Sequence, residues 1–535
     1  MEVMDSGLAA SSQNRFASKS SAALVAAGIL LSRLAGLVRE RVFAHYFGSS
    51  QAADAFKAAF KIPNLLQNLF GEGVLSASFI PVYAALLARG DEEEARRVAG
   101  AVLALLSLCT SALVTLGVVA TPYFIDAIAP GFHGAERELT IRLVRILFPG
   151  AGLLVMSAWC LGILNSHRRF FLSYTAPVAW NAVMIATMIG FGRRDTQFDL
   201  ATTLAWGSVG GSALQVGMQW PAVRKLVRGM RLSLEHRAPQ VREVIRNFTP
   251  VFFSRGVVQI SAYVDALLAT LLPTGAVASL AYAQILYLLP VSLFGMSVSA
   301  AELPAMSGAV GTGTEVAAVL RRRLNTGLRQ ITFFVLPSAI AFLALGDVIV
   351  SAIFLTGAFR HHDVLYVWGA LAGATIGLLA SALGRLYSST YYALRDTRNP
   401  LRYASVRVAL TTALGYVAAF EVPGWIGVEA RWGLVGLTAS AGIAAWVEFT
   451  LLRRGLRARI GETGVPATFL TQIWVASLLA AAAGRGVFVF VGALYPPLAA
   501  VLVLGAFGAV YAGMAAAMRV PELHALVPKR IIIRR

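Results

Sequence analysis

Residues 32–81 read SRLAGLVRERVFAHYFGSSQAADAFKAAFKIPNLLQNLFGEGVLSASFIP, and this stretch decides the fold. Asp54, Lys57, Lys61, Asn64, Asn68 and Glu72 follow one another at steps of three or four residues, so they form one stripe along a helix. Phe56, Phe60, Leu65 and Leu69 take the opposite positions and are apolar. Upstream, Arg33, Arg39, Glu40 and Arg41 interrupt another hydrophobic run. An ionic side chain facing lipid at mid-bilayer costs about 2.5–3.5 kcal/mol or more, so these groups should face a watery cavity or one another. A membrane-spanning chain with a charged interior usually moves something polar.

The rest of the chain has the same character. Of 535 residues, 57% are hydrophobic and 14% charged, with a mean hydropathy of +0.69. That composition belongs to an integral membrane protein. Apolar runs long enough to cross a bilayer recur near 20–38, 54–88, 98–124, 140–162, 172–191, 201–220, 248–272, 276–306, 328–350, 365–386, 402–420, 432–452, 466–492 and 496–518. The expectation is therefore an all-α polytopic protein with about fourteen transmembrane helices.

The formal charge of +19 does not point to nucleic acid, because Lys and Arg concentrate in alternate loops. One set holds Arg96 and Arg97, then Arg168 and Arg169, then the run from Arg224 to Arg246. It continues with Arg321 to Arg329, Arg395 to Arg402, Arg453 to Arg459 and the tail to Arg535. The loops between carry few: Arg137, Arg193, Arg194, Arg360 and Arg431. The positive-inside rule places the first set and both termini in the cytoplasm. Residues 1–19 are polar and lack the layout of a cleaved signal peptide. Cys109 and Cys160 lie within apolar runs and read as small core hydrophobes.

The two halves echo each other. Ser32-Arg33 recurs as Ser254-Arg255, Phe70-Gly71 as Phe294-Gly295, Ile80-Pro81 as Leu303-Pro304, and Pro177 as Pro400, at offsets near 222–226. Six spans per half preserve the in/out orientation, so the repeat is parallel, with an axis along the membrane normal. The expected domains are a tail (1–19), an N-lobe of six helices (20–222), a basic cytoplasmic linker (223–247), a C-lobe of six helices (248–455), two appended helices (456–518) and a basic tail (519–535). Twin lobes around a central site make an alternating-access layout.

Ser32 to Glu40, Phe47-Gly48, Asp54-Ala55-Phe56, Ile62-Pro63-Asn64-Leu65-Leu66, Glu72-Gly73 and Phe79-Ile80-Pro81-Val82 together resemble the MurJ/MviN family. Those are lipid II flippases of the multidrug/oligosaccharidyl-lipid/polysaccharide exporter superfamily. Further matches are Ala129-Pro130-Gly131-Phe132, Gly162-Ile163-Leu164-Asn165, Phe354 to Phe359 and Tyr391 to Pro400. The resemblance covers roughly residues 20–455. It implies a flippase that moves undecaprenyl-diphosphate-linked peptidoglycan precursor from the inner to the outer leaflet of the bacterial cytoplasmic membrane. A diphosphate needs cationic partners, and Arg can grip phosphate oxygens with two parallel bonds. An inside-negative potential of 100 mV favours outward movement of two uncompensated negative charges by roughly 5 kcal/mol. The expected supply of energy is the membrane potential, H+ or Na+, with no cofactor. Expected partners are the glycolipid, the membrane itself and proteins of cell-wall synthesis.

By this resemblance Arg33 and Arg39 match cavity arginines and are expected to bind the diphosphate. Lys61 matches a basic family position, Lys57 adds charge one turn away, and Asn64 belongs to the same stripe. Asp54 and Glu72 match family acids and are expected to gate or pair charges, as are Glu40 and Gln259. Two departures stand out: Gln67 follows Pro-Asn-Leu-Leu where the family has Arg, and Ile285 follows Gln284 where the family has Arg. Lys57 and Arg255 are the expected replacements. Some members bind Na+ between the seventh, eleventh and twelfth helices. Asp265 would match the carboxylate there, while Tyr416 stands at the expected amide position.

Other classes fit less well. A drug or organic-cation antiporter needs acids, not arginines, dominating its cavity. A membrane enzyme acting on polyprenyl phosphates needs paired acids or a nucleophile that the loops do not offer. A cell-wall scaffold, or a flippase for another polyprenyl-linked glycan, is the alternative that Gln67 and Ile285 keep open. His361-His362-Asp363 reads as a solvated loop. Asp91 to Glu94 reads as a helix cap, and Arg395 to Pro400 as a fixed turn between helices.

Overall fold

The first elbow is made by Gly48 and Ser50. Helix α1 (30–47) ends where Gly48 takes a φ of 55°, and its N–H bonds the Ala44 carbonyl at 2.9 Å. The Ser50 hydroxyl then accepts from the Ala53 N–H at 3.3 Å and opens α2 (Gln51–Phe70). α2 stops at Gly71, whose backbone turns extended (φ −85°, ψ −152°), and only glycine fits there, because a Cβ would lie 2.1 Å from the Gln67 carbonyl oxygen. α3 (Glu72–Ala88) continues after this break. Asp91 caps α4 (Glu92–Val119) through the Glu94 N–H at 3.2 Å, and Glu92, Glu93 and Glu94 fill its first turn, where the helix dipole favours negative charge.

The computed structural model describes residue 28, residues 30–308 and residues 312–525; side chains are described at all of these except residues 72, 170, 174, 251, 253–262 and 524–525. The chain continues through α5 (Thr121–Ile128), α6 (Gly134–Ser166), α7 (Phe170–Phe191), α8 (Gln197–Leu226) and α9 (Pro239–Thr270). Next come α10 (Ala276–Pro290), a π-helical turn at Val291–Met296, α11 (Ser297–Ser307), α12 (Gly313–Phe354), α13 (His361–Thr375) and α14 (Leu378–Ala393). α15 (Arg398–Tyr416), a second π turn at Val417–Glu421, α16 (Val422–Ile426), α17 (Gly433–Ile460), α18 (Ala467–Val491) and α19 (Pro496–Ala517) complete it. The architecture is all-α among the described residues.

Among the described residues ten helices are long and apolar enough to cross a membrane, or eleven if α13 and α14, bent by 42°, form one span. α1, α8 and α9 are also long but more polar, and the expected fourteen depends on counting them. Every expected span after the first falls largely on one of these helices, α2/α3, α10/α11 and α13/α14 each being one broken rod.

The chain divides into two units, one up to Tyr263 and one from Val264, so the boundary lies inside α9. In the first, α6 is central and packs on α8, α2, α4 and α3. In the second, α17 packs on α15, α13 and α14, and α12 on α13 and α14. The internal repeat is visible element by element. α2 and α10 begin at Gln51 and Ala276, and α6 and α13 begin at Gly134 and His361. The repeated Phe-Gly pair is the site of a helix irregularity in both units: the break at Gly71 and the π turn containing Phe294 and Gly295. The turn after α6 and the turn after α14 share one closure. Arg168 and Arg395 both take a φ of 58°, and the next residue's N–H reaches back to Leu164 (2.8 Å) or Tyr391 (2.9 Å). This is the Schellman closure, with arginine where glycine is usual.

α18 and α19 lie against α12. Ile340, Leu345, Val348, Ala480, Val503 and Phe507 form one buried cluster. Arg485 forks onto Asp347 at 2.9 and 2.8 Å, and the Tyr511 hydroxyl donates to the Phe333 carbonyl at 2.6 Å. Cys160 is buried and Cys109 exposed, and both are free thiols. The Asp363 carboxylate accepts the Arg360 N–H at 2.8 Å, so His361-His362-Asp363 starts α13 rather than forming a loop. In the Arg395 to Pro400 turn, Asp396 accepts from the N–H groups of Arg398 (3.0 Å) and Asn399 (3.1 Å).

Candidate functional site

The α1–α2 elbow is held by aromatic rings. Phe43 stacks on Phe47 with centroids 4.5 Å apart and meets Phe56 at 5.3 Å. Phe56 stacks on Phe60 at 5.9 Å, and Phe60 meets Trp180 of α7 at 5.8 Å. These contacts fix the inner faces of α1 and α2 side by side, and Glu40 lies between them.

Glu40 is 6% exposed. It accepts a hydrogen bond from Arg39 Nη2 at 2.6 Å and another from Lys57 Nζ across the elbow. Each cation also sits over a ring: the Arg39 guanidinium is 4.9 Å from the Trp180 centroid, and Lys57 Nζ is 4.1 Å from that of Phe43. A carboxylate shielded from water this fully is tolerable only when paired, and here two cations share it. The cluster therefore carries one net positive charge. The ring faces add electrostatic attraction and help hold the two cations in place.

The polar stripe of α2 runs from covered to open. Asp54 is buried, Lys57, Lys61 and Asn64 are half-buried, and Asn68 is exposed. The Lys61 carbonyl accepts from the Tyr263 hydroxyl. At the end of α2, Phe70 packs on Phe248 and Phe252 of α9, at 5.7 and 5.2 Å.

The structure thus brings Arg39, Glu40 and Lys57 together. Arg33 is exposed and lies six residues before Arg39, so the two arginines point to different faces of α1. Gln67 and Ile285, at the positions where arginines were expected, are half-buried on α2 and α10. The side chains of Glu72, Arg255 and Gln259 lie outside the described residues. Asp265 is half-buried on α9, and Tyr416 is 53% exposed at the end of α15. Sequence reading missed Trp180 and Phe43. An indole in an apolar span is ordinary there, and only its distance from a cation distinguishes it.

Chemically, the cluster is an anion site with a resident anion. Glu40 takes one N–H of Arg39, whose fork carries five. The remaining donors, with the surplus charge, suit the oxygens of a phosphate group.

A family profile described as lipid II flippase MurJ matches residues 43–504. The lipid II flippase MurJ of Burkholderia cenocepacia is 31% identical over 437 residues, which cover 80% of this chain and 82% of that protein. Among solved structures, a lipid II flippase MurJ in an inward closed conformation aligns with a TM-score of 0.75 at 23% identity, over 92% of this chain and 98% of that one. An inward-facing multidrug resistance MATE transporter of the MOP superfamily aligns at 0.60 and 17% identity, over 80% and 95%. These two structural likenesses speak for the shared fold.

Proposed function

This chain belongs to the lipid II flippase MurJ family, and on that premise we propose that it carries lipid II from the inner to the outer leaflet of the bacterial cytoplasmic membrane by alternating access. It is a multi-pass transporter and not an enzyme, since the cargo crosses with no covalent bond made or broken.

The observation that carries the reading to particular residues is the shared carboxylate of Glu40. Without cargo, Glu40 holds Arg39 and Lys57 in place. When the diphosphate arrives, its oxygens take the free donors of Arg39 and compete with Glu40 for Lys57. On release, Glu40 takes both cations back. A competing internal anion keeps the grip reversible, which a carrier needs. Arg33, Lys61 and Asn64 extend the cationic and polar lining, and Arg255 is in this reading a further ligand for the diphosphate. Asp54, Glu72 and Gln259 serve in gating. Both termini are cytoplasmic by the loop charges. The driving force is the membrane potential, H+ or Na+, separable by selective ionophores, and proteins of cell-wall synthesis are the natural neighbours. Gln67 and Ile285 favour one second reading, a flippase for another polyprenyl-linked glycan.

The test is to deplete the native flippase in a bacterium, express this chain, and score survival together with lipid II in the outer leaflet. Rescue that is lost in Arg33→Ala and Arg39→Ala supports the proposal. Survival without outward lipid II overturns it in favour of a scaffold. Failure of rescue by a folded, membrane-inserted chain overturns it in favour of another cargo.

A further inference from the structure

The two repeated turns differ in their side chains. In the second unit the corner after α14 holds an internal ion pair. Asp396 pairs with Arg459, one residue from the end of α17, at 2.8 Å. Tyr391 fills the space beneath, its hydroxyl donating to the Leu452 carbonyl at 3.1 Å, and Arg459 lies 5.6 Å from its ring centroid.

In the first unit the same backbone closure carries other side chains. Leu164 stands where Tyr391 stands, judged by the identical turn hydrogen bond, and Arg169 stands where Asp396 stands. Lys225, one residue from the end of α8, corresponds to Arg459. The acid has become a base and the phenol a smaller leucine. A cavity of about 730 Å3 opens there, lined by Leu164, Arg168, Arg169, Phe171, Met218 and Lys225 among others, with no acidic residue in its lining. An adjoining cavity of about 670 Å3 shares Lys225 and adds Arg224 and Arg228. Among the described residues no salt bridge engages Arg168, Arg169 or Lys225; Arg96, Arg97, Arg323, Arg329 and Arg459 of the other basic loops are paired, while Arg395, the counterpart of Arg168, and Arg398 are not, so the distinguishing feature of the first corner is the base at Arg169 in place of Asp396.

We propose that this corner binds an anionic glycerophospholipid, its phosphate on Arg168, Arg169 and Lys225 and an acyl chain along Phe171, Leu172 and Met218. The apolar part of the lining is what a free phosphate would not need: Phe171 is 68% and Met218 39% exposed, both beside the cations. A bound lipid supplies the counter-charge that Asp396 supplies in the other unit. The inference rests on this internal comparison and holds whatever cargo the chain carries.

The test uses the full chain, purified and delipidated, titrated with phosphatidylglycerol or phosphatidylcholine and read by native mass spectrometry. Phosphatidylglycerol should bind at least tenfold more tightly. Arg169→Asp, which copies the second unit, changes two unit charges and should weaken that binding roughly thirtyfold, at about one kcal/mol per charge. The Tm of this variant without lipid should equal or exceed the parent's, because the introduced carboxylate would pair with Lys225. Met218→Trp, which puts a bulkier side chain at an exposed position of the lining without changing charge, should also reduce binding. Arg237→Ala, which removes an exposed charge outside both cavities, should not. Equal binding of the two lipids overturns the proposal, as does unchanged binding in both Arg169→Asp and Met218→Trp. Stoichiometric displacement of phosphatidylglycerol by undecaprenyl diphosphate overturns it in favour of a cargo site.

Discussion

Glu40→Gln tests whether Arg39, Glu40 and Lys57 act as one unit. The substitution keeps the shape and removes the charge, leaving two cations facing each other with side-chain exposures of only 18% and 11%. Breaking a buried ion pair in this way costs about 3–5 kcal/mol. Trp180 and Phe43 hold the two cations in parent and variant alike, so the ring contacts do not offset the loss, and the expected cost stays at about 3–5 kcal/mol. Lys57→Met alone leaves Glu40 with Arg39 and should cost about 1–2 kcal/mol. In the double variant the surplus cation and the missing anion disappear together, so its loss should be smaller than the sum of the single losses by more than about 1 kcal/mol. The measurement is reversible unfolding of the purified chain in detergent, by denaturant or heat, for all four members of the cycle. Additive losses, or a Glu40→Gln cost below about 1 kcal/mol, would refute the coupled cluster and with it the idea of a resident anion.

Gly71→Ala places a Cβ 2.1 Å from the Gln67 carbonyl oxygen, so it should destabilise the chain by about 1–3 kcal/mol; a neutral result in a denaturant titration would mean that the break between α2 and α3 is not sterically required. His167, at the end of α6, has its pKa lowered from the usual 6.5, first by burial and then by Arg169, while Glu92 pulls the other way. Its neutral ring meets the Tyr83 hydroxyl at 3.0 Å. The depressed pKa means that the contribution is complete above 6.5 and is lost as pH falls through the folded value. Thermal scans in moderately acidic buffer should show His167→Gln losing less stability than the parent, and parallel pH curves would refute the assignment. Asp347→Asn weakens the fork from Arg485 that ties α18 to α12; with Arg485 at 37% exposure the expected loss is about 1 kcal/mol or less, read as earlier proteolysis of α18–α19 at elevated temperature.

Much of the fold was legible because its signals are local. The length of an apolar run fixes whether it can span a bilayer, and the helices from α4 to α19 contain the runs expected of them. The Phe-Gly repeat coincides with a helix irregularity in each unit. The candidate site was legible in part. Lys57 belonged to a visible stripe, and Arg39 and Glu40 to a visible charged run, but their meeting was not. Glu40 and Lys57 are 17 residues apart, and whether they touch depends on how Gly48 and Ser50 turn the chain. Trp180 lies on α7, and no pattern in α1 or α2 points to it.

The sequence alone determined the solvent this protein folds in, where its helices run, that its halves repeat, and that cations must be sheltered within it. Hydrophobic length, helical period and loop charge are properties of neighbouring residues, so they survive without coordinates. Only the tertiary structure decided which cation meets which carboxylate, and that two turns with the same backbone bonds end differently, one closed by Asp396 and Arg459 and the other left open around Arg169 and Lys225. Electrostatic energy falls with the distance between charges in space, and that distance is set by packing, not by position along the chain.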